Sequence, residues 1–278
     1  MRNSVIILLF TLSLSACNTF DLEQLGTVST TLQRAFVPAT ASEEQEIGRE
    51  AAAILLGAAP LLDNPKIQAY VNRVGLWIAL QSERPDIPWR FAVLDDPDIN
   101  AFAAPGGYIF ITTGLLLRLQ NEAELAGVLA HEIAHVIASH HLDAIRKEAR
   151  LSLAGMAAGA ALREKGQDPE QLKALAGGAR LIYSRGLERS DEYEADRLGV
   201  VLAAKAGYDP YGLVSVLQAL ERMNPQASEL GLLMKTHPRP QDRIARLDRS
   251  MRGPLDGMSG FQLGEARFRQ QLSELVGP

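Results

Sequence analysis

The chain has 278 residues, 47% hydrophobic content and a formal net charge of -5. That length fits one globular domain with flanking segments, or at most two small domains. The charge is spread without long acidic or basic runs or an aromatic-basic array, so nothing marks a nucleic-acid surface and no nucleic-acid partner is expected.

The first residues read MRNSVIILLFTLSLSAC. Arg2 supplies a positive start and Val5 to Leu14 an apolar core, which is well short of the ~20 residues a membrane span needs. Leu14-Ser15-Ala16 then leads into Cys17, the only cysteine of the chain, which excludes an intramolecular disulfide framework. This resembles the lipobox of bacterial lipoproteins, in which the signal is removed before a cysteine that becomes lipidated. The expected organisation is a signal peptide over 1–16, a Thr/Ser-rich tether over 17–41, the main globular domain over 42–252 and a tail over 253–278. By analogy with lipoprotein sorting, Asn18 in place of aspartate favours the outer membrane of a Gram-negative host.

Within the domain, Ser42 opens a helix, with Glu43, Glu44 and Glu46 near its N-terminus. Asn64-Pro65 opens a second helix to Gln81, in which Ile67, Val71, Val74 and Ile78 recur at helical spacing. Trp89 to Leu94, Asn100 to Ala104 and Tyr108 to Thr112 read as three short strands, with the Pro105-Gly106-Gly107 turn before the last. Asn121 caps the next helix, and Glu124 at the third position makes the start resemble a capping box. No Gly or Pro lies between Val128 and Ala149, so this helix is expected to run on through that span. Leu151 to Leu162 is rich in small residues, too short to span a bilayer and suited to close helix packing. Further helices are expected over Leu187 to Ala206, from Asp209-Pro210 to Arg222, and over Gln241 to Met251; His237 to Pro240 reads as extended or turn, and no internal repeat or tetratricopeptide-like array follows.

The chemistry sits in Leu129 to His141, LAHEIAHVIASHH, which holds four of the five histidines. His131 and His135 stand four residues apart, on one face of a helix, so both imidazoles can reach one ion. Zinc is the usual guest for two imidazoles and a carboxylate or third imidazole. Glu132, about 100° around the helix, is near enough to serve as general base toward a water at the site. The flanking residues Leu129, Ala130, Ile133, Ala134, Val136 and Ile137 are apolar. They place the histidines in a buried face, where unpaired polar groups are costly and a metal is favoured.

Two candidates compete for the third ligand. His131, His135 and His141 resemble the metzincin pattern HExxHxxGxxH, but Ala138 stands where that pattern has its helix-breaking glycine. In a continuous helix His141 lies about 240° around from His135, and His140 is also off the ligand face. The other candidate is Glu192, in the segment RSDEYEAD, with Asp196 one turn on and able to hold the second nitrogen of a ligating imidazole.

The order NAFAAPGGYIFITTG (residues 100–114), HEIAH, EYEAD and Thr236-His237-Pro238 resembles the gluzincin peptidases, a group that includes the CAAX prenyl protease, HtpX, the mitochondrial Oma-type protease and BepA. The likeness covers about residues 42 to 250 and is greatest to the short periplasmic lipoproteins of the group. It implies an α+β, mainly α-helical fold with a zincin-like core, a small sheet of about three strands and an HExxH active-site helix. It implies one Zn2+ held by His131, His135 and Glu192, with Glu132 as base. His237 matches a histidine that either closes the metal's fourth position or stabilises the oxyanion, and Arg243 is a second oxyanion candidate. Tyr108 to Thr112 resembles the edge strand on which such enzymes lay an extended peptide. The implied activity is metalloendopeptidase cleavage of misfolded or misassembled envelope proteins. The membrane would be met through Cys17, and outer-membrane assembly machinery is a possible partner. The alternative is a zinc-containing chaperone or assembly factor with latent proteolysis.

Overall fold

The computed structural model describes residues 36–163, 186–224, 226–253 and 259–276. The signal segment, Cys17, Asn18 and most of the tether lie outside the described residues. No helix among those described is long and apolar enough to cross a membrane.

Helix α1 spans Ala41–Ala58. It begins one residue before the expected Ser42 because Thr40 and Glu43 form a reciprocal capping box, with Glu43 N donating to Thr40 Oγ1 at 3.2 Å and Thr40 N to Glu43 Oε2 at 2.8 Å. Helix α2, Pro65–Ala79, starts as expected, with Asn64 capping Ile67 N and Pro65 in the first turn. Its buried stripe of Ile67, Val71, Val74 and Ile78 faces the main core.

Strands β1 (Arg90–Leu94), β2 (Ala101–Ala104) and β3 (Tyr108–Thr112) form one sheet in the order β1-β3-β2. β3 pairs in parallel with β1, Phe91 opposite Ile109, and antiparallel with β2, Phe102 opposite Phe110. The expectation that Tyr108 to Thr112 is an edge strand is therefore corrected. Both edges of β3 are used, and its apolar residues are buried on both faces (Ile109 1%, Phe110 4% exposed), as suits a central strand. The strand beside the active site is β2.

A short turn of helix, α3 (Thr113–Leu116), leads to α4, Glu122–Ile137. Asn121 Oδ1 accepts from Glu124 N at 2.9 Å, as the capping signal implied, but Glu124 Oε2 accepts from Gln120 N at 2.7 Å rather than from the cap itself. Every residue of α4 from Glu122 to Val136 is buried, so the helix threads the core instead of covering it. Helix α5 (His140–Arg163) follows, then α6 (Arg189–Lys205), α7 (Gly212–Glu221), the short α8 (Leu233–Thr236), α9 (Pro240–Met251) and α10 (Glu265–Val276). For most of the small-residue stretch within α5, the side chains lie outside what is described.

Helix α10 lies in the segment read from sequence as a tail. Phe268 and Leu272, 2% and 5% exposed, enter the main core, and Arg267 reaches the first residue of α4. There Glu122, 1% exposed, accepts from Tyr70 Oη at 2.7 Å, Tyr208 Oη at 2.8 Å and Arg267 Nε at 2.6 Å. The network ties α2, α10 and the loop after α6 to the start of the histidine-bearing helix α4. Burial disfavours the Glu122 carboxylate, but Arg267 and the two phenols outweigh it and hold the group below its ordinary 4.5. Its contribution to stability is thus complete above that value and is lost as pH falls through the depressed one. Glu122→Gln should melt below wild type at neutral pH, and the gap should close as pH falls below 4.5. A gap unchanged down to pH ~3 would contradict this assignment.

Candidate active site

His131 and His135 share one face of α4, and their Nε2 atoms face each other at 3.1 Å. Helix α6 crosses that face closely. A Cβ on Gly199 would sit 2.9 Å from His131 N, so only glycine allows this approach. Glu192, Asp196 and Gly199 fall on one side of α6 at helical spacing, and the contact at Gly199 brings both carboxylates onto the histidines. Glu192 Oε1 is 3.6 Å from His135 Nε2, and Oε2 is 3.7 Å from His131 Nε2.

These three donors are all at most 3% exposed, and they form a group able to hold a metal ion. Ligand atoms about 2.1 Å from a tetrahedral zinc lie about 3.4 Å apart, which matches the spacings found. Glu192 Oε2 is fully buried and has no hydrogen-bond partner among the described residues, as befits an atom meant for a cation. Burial and the Arg243 charge both push His131 toward neutrality, yet Asp196 and Glu192 carry its pKa up to about 9. The field that draws a proton there would draw a cation equally. Two imidazoles and a carboxylate are a zinc donor set, so the residues fit the metal.

Asp196 Oδ1 lies 3.1 Å from His131 Nδ1. Arg243, 5% exposed on α9, donates to the same carboxylate, from Nη2 at 2.5 Å and from Nε at 2.9 Å. Arg243 Nη2 is also 3.4 Å from His131 Nδ1, but a guanidinium cannot accept, so a proton on Nδ1 goes to Asp196. Arg243, a second oxyanion candidate by resemblance, meets His131 on its Nδ1 side and is not among the residues lining the cavity described next, a place that suits holding Asp196.

The cavity is about 40 Å³ and is lined by Ala101 to Ala103, Glu132, His135, His141, Gly186, Leu187, Glu192, Thr236 and His237. It has room for a few waters. Glu132 is 4% exposed, and burial raises its pKa to about 7, close to the optimum for a base at neutral pH. His237 follows α8, and its Nε2 comes within 3.7 Å of Glu192 Oε2. Burial lowers the His237 pKa to about 4, so the ring is neutral and can offer a lone pair or an N–H.

The expectation of an unbroken helix through the histidines is overturned. Helix α4 ends at Ile137, and Ser139 takes the left-handed conformation at φ 60 before α5 starts at His140. The turn is closed by Ser139 N donating to Val136 O at 3.1 Å. His140 and His141 therefore do not face away. Both are buried, His140 Nδ1 lies 2.9 Å from His135 Nδ1, and the His141 ring centroid is 5.7 Å from that of His135. Neither belongs to the three-residue group that converges on the metal position. Ala101 to Ala103 of β2 also line the cavity; the sequence reading included them in a motif but gave them no role, because their apolar side chains carry no chemical signature.

A helix bearing HExxH, buried in the core and met by a carboxylate from a later helix, defines a zincin-type metallopeptidase core. A model of peptidase family M48 matches residues 65–251, more than half of the chain, and the chain belongs to that family. It carries a metalloendopeptidase domain. The beta-barrel assembly-enhancing protease of Escherichia coli is 30% identical over 210 residues, covering 73% of this chain and 42% of that protein. The protein of that name from Yersinia pestis is 31% identical over 194 residues, covering 68% and 40%. The mitochondrial metalloendopeptidase OMA1 of Schizosaccharomyces pombe is 34% identical over 179 residues, covering 64% and 51%. The chain thus spans about two-fifths of the length of the two bacterial relatives.

Proposed function

We propose that this chain is a zinc metalloendopeptidase of the bacterial envelope that cleaves misfolded or misassembled periplasmic and outer-membrane proteins. It would be held at the periplasmic face of the outer membrane by lipid on Cys17 and work beside the outer-membrane assembly machinery. The observation that carries the chemistry is the convergence of His131, His135 and the orphan oxygen of Glu192 beside Glu132. The lipobox-like start and the names of the bacterial relatives support the cellular setting.

Zinc held by His131, His135 and Glu192 would polarise the scissile carbonyl and ease deprotonation of the attacking water. Glu132 would take that proton on its carboxylate and return it to the departing amine nitrogen. Asp196, kept ionised by Arg243, orients His131 through Nδ1.

The small cavity and the position of His237 favour a second reading, in which the same site is held latent and the protein also acts as a chaperone or assembly factor. The 3.7 Å separation of His237 Nε2 from Glu192 Oε2 supports that reading.

Three measurements test these readings. Glu192→Ala should lose bound zinc, whereas His141→Ala should keep it; the reverse pattern would move the third ligand to His141. His237→Ala should cleave casein faster if the residue is a latch, and slower cleavage would make it a donor to the oxyanion. Comparing envelope proteomes of wild-type and Glu132→Gln cells would show the substrates, and identical proteomes would count against quality control.

A further inference from the structure

We propose that His140 is a positioning residue for His135, accepting a hydrogen bond from His135 Nδ1 and so aiming Nε2 at the metal. The proposal rests on the zinc reading above. The two Nδ1 atoms lie 2.9 Å apart, both rings are buried, and they meet edge to face with centroids at 5.0 Å. Two ring nitrogens at that distance need one proton between them. His135 Nε2 faces His131 and Glu192, and a ligand nitrogen carries no proton. The proton of a neutral His135 ring therefore sits on Nδ1 and must be donated, and His140 Nδ1 is the bare acceptor.

That assignment leaves the His140 proton on Nε2, directed toward Glu194 Oε2 at 3.7 Å on α6. The separation is too long for a hydrogen bond. Its direction still suits an N–H rather than a lone pair, because a lone pair facing a carboxylate would be repelled. Each imidazole then has its own support on the side away from the metal: Asp196 for His131 and His140 for His135.

The backbone is shaped for this contact. Were α4 to continue, His140 would lie about 140° around the helix from His135. The left-handed turn at Ser139, a conformation unfavourable for a non-glycine residue, folds His140 back onto His135 instead. Strain kept at such a place is consistent with a function for the contact it produces.

The test compares His140→Leu, which fills similar space without an acceptor, with His140→Asn, whose Oδ1 can take the place of Nδ1. Zinc affinity is read by chelator competition, and ligand geometry by the visible absorption of the cobalt(II)-loaded protein. His140→Leu should bind zinc about 10–100-fold more weakly and shift the cobalt spectrum. His140→Asn should recover most of the affinity and the wild-type spectrum. A packing role predicts the opposite order, so wild-type affinity in His140→Leu would overturn the proposal. So would a folded His140→Asn with weakened binding, which decides the matter even if the leucine variant does not fold. Glu192→Ala separates the two levels. If it binds zinc like wild type, the metal-site reading fails and the proposal with it; if it loses zinc while His140→Leu does not, only the positioning role fails.

Discussion

Glu132→Gln is expected to keep its zinc and its fold while peptide-bond cleavage falls by ~10²–10⁴-fold, the usual contribution of a positioned base. Glu132 lies next to a proposed ligand and lines the cavity, where it also comes near His131 and His237, but it is not in the group of His131, His135 and Glu192. Its burial works against its own charge, which is why its pKa is pushed up to about 7. A neutral glutamine of the same shape therefore relieves a desolvation cost and should leave the melting temperature equal to or above wild type. What it removes is the ability to take a proton from water. Casein cleavage, zinc content and thermal melting, measured on one preparation, check this. Retained cleavage in a folded, zinc-loaded variant would remove Glu132 from the mechanism.

Arg243→Ala should have the largest effect on stability, about 3–5 kcal/mol, because it leaves the buried Asp196 carboxylate without its cation. Burial raises the Asp196 pKa, and Arg243 is the strongest influence holding it well below the usual carboxylate range. Without the guanidinium, either a buried charge is left uncompensated or Asp196 takes up a proton and serves His131 less well. The melting temperature should fall by roughly 6–20 °C, and zinc affinity by ~10–100-fold through the loosened imidazole. The double variant Arg243→Ala/Asp196→Asn should be more stable than Arg243→Ala alone, since it removes the stranded charge as well. An Arg243→Ala protein with wild-type melting and zinc affinity would show that the pair does not support the site. A conventional oxyanion role predicts lost turnover with stability unchanged, so the two roles separate cleanly.

Much of the molecule was legible because its signals are local. Asn64-Pro65 and Asn121 announce helix starts through hydrogen bonds that span only three residues. His131, Glu132 and His135 stand in register because a helix repeats every 3.6 residues, whatever surrounds it. Strands β1 and β3 also fell where β-branched and aromatic residues run between turn signals. Glu192 and Asp196 share a face for the same reason, but an acidic pair one turn apart is common on solvated helices. Only the company of the other motifs distinguished it.

Tertiary structure decided what depends on contacts distant in sequence. Strand order is one case: β3 takes the centre because both its faces and both its edges find partners, which its own residues do not specify. Helix α10 is another, since its polar sequence hides the two residues, Phe268 and Leu272, that a core elsewhere in the chain buries. Arg243 reads as one more arginine until α9 lays it against Asp196. The helix carrying the histidines shows the limit most clearly. Its sequence determined that His131 and His135 share a face with Glu132 beside them, the candidate ligands and base. It could not reveal the turn at Ser139, where a local conformational cost of about 1–2 kcal/mol is outweighed by burial and by the contact of His140 with His135. Local propensity favoured a continuous helix through Ala138, and the packed core around the metal position broke it.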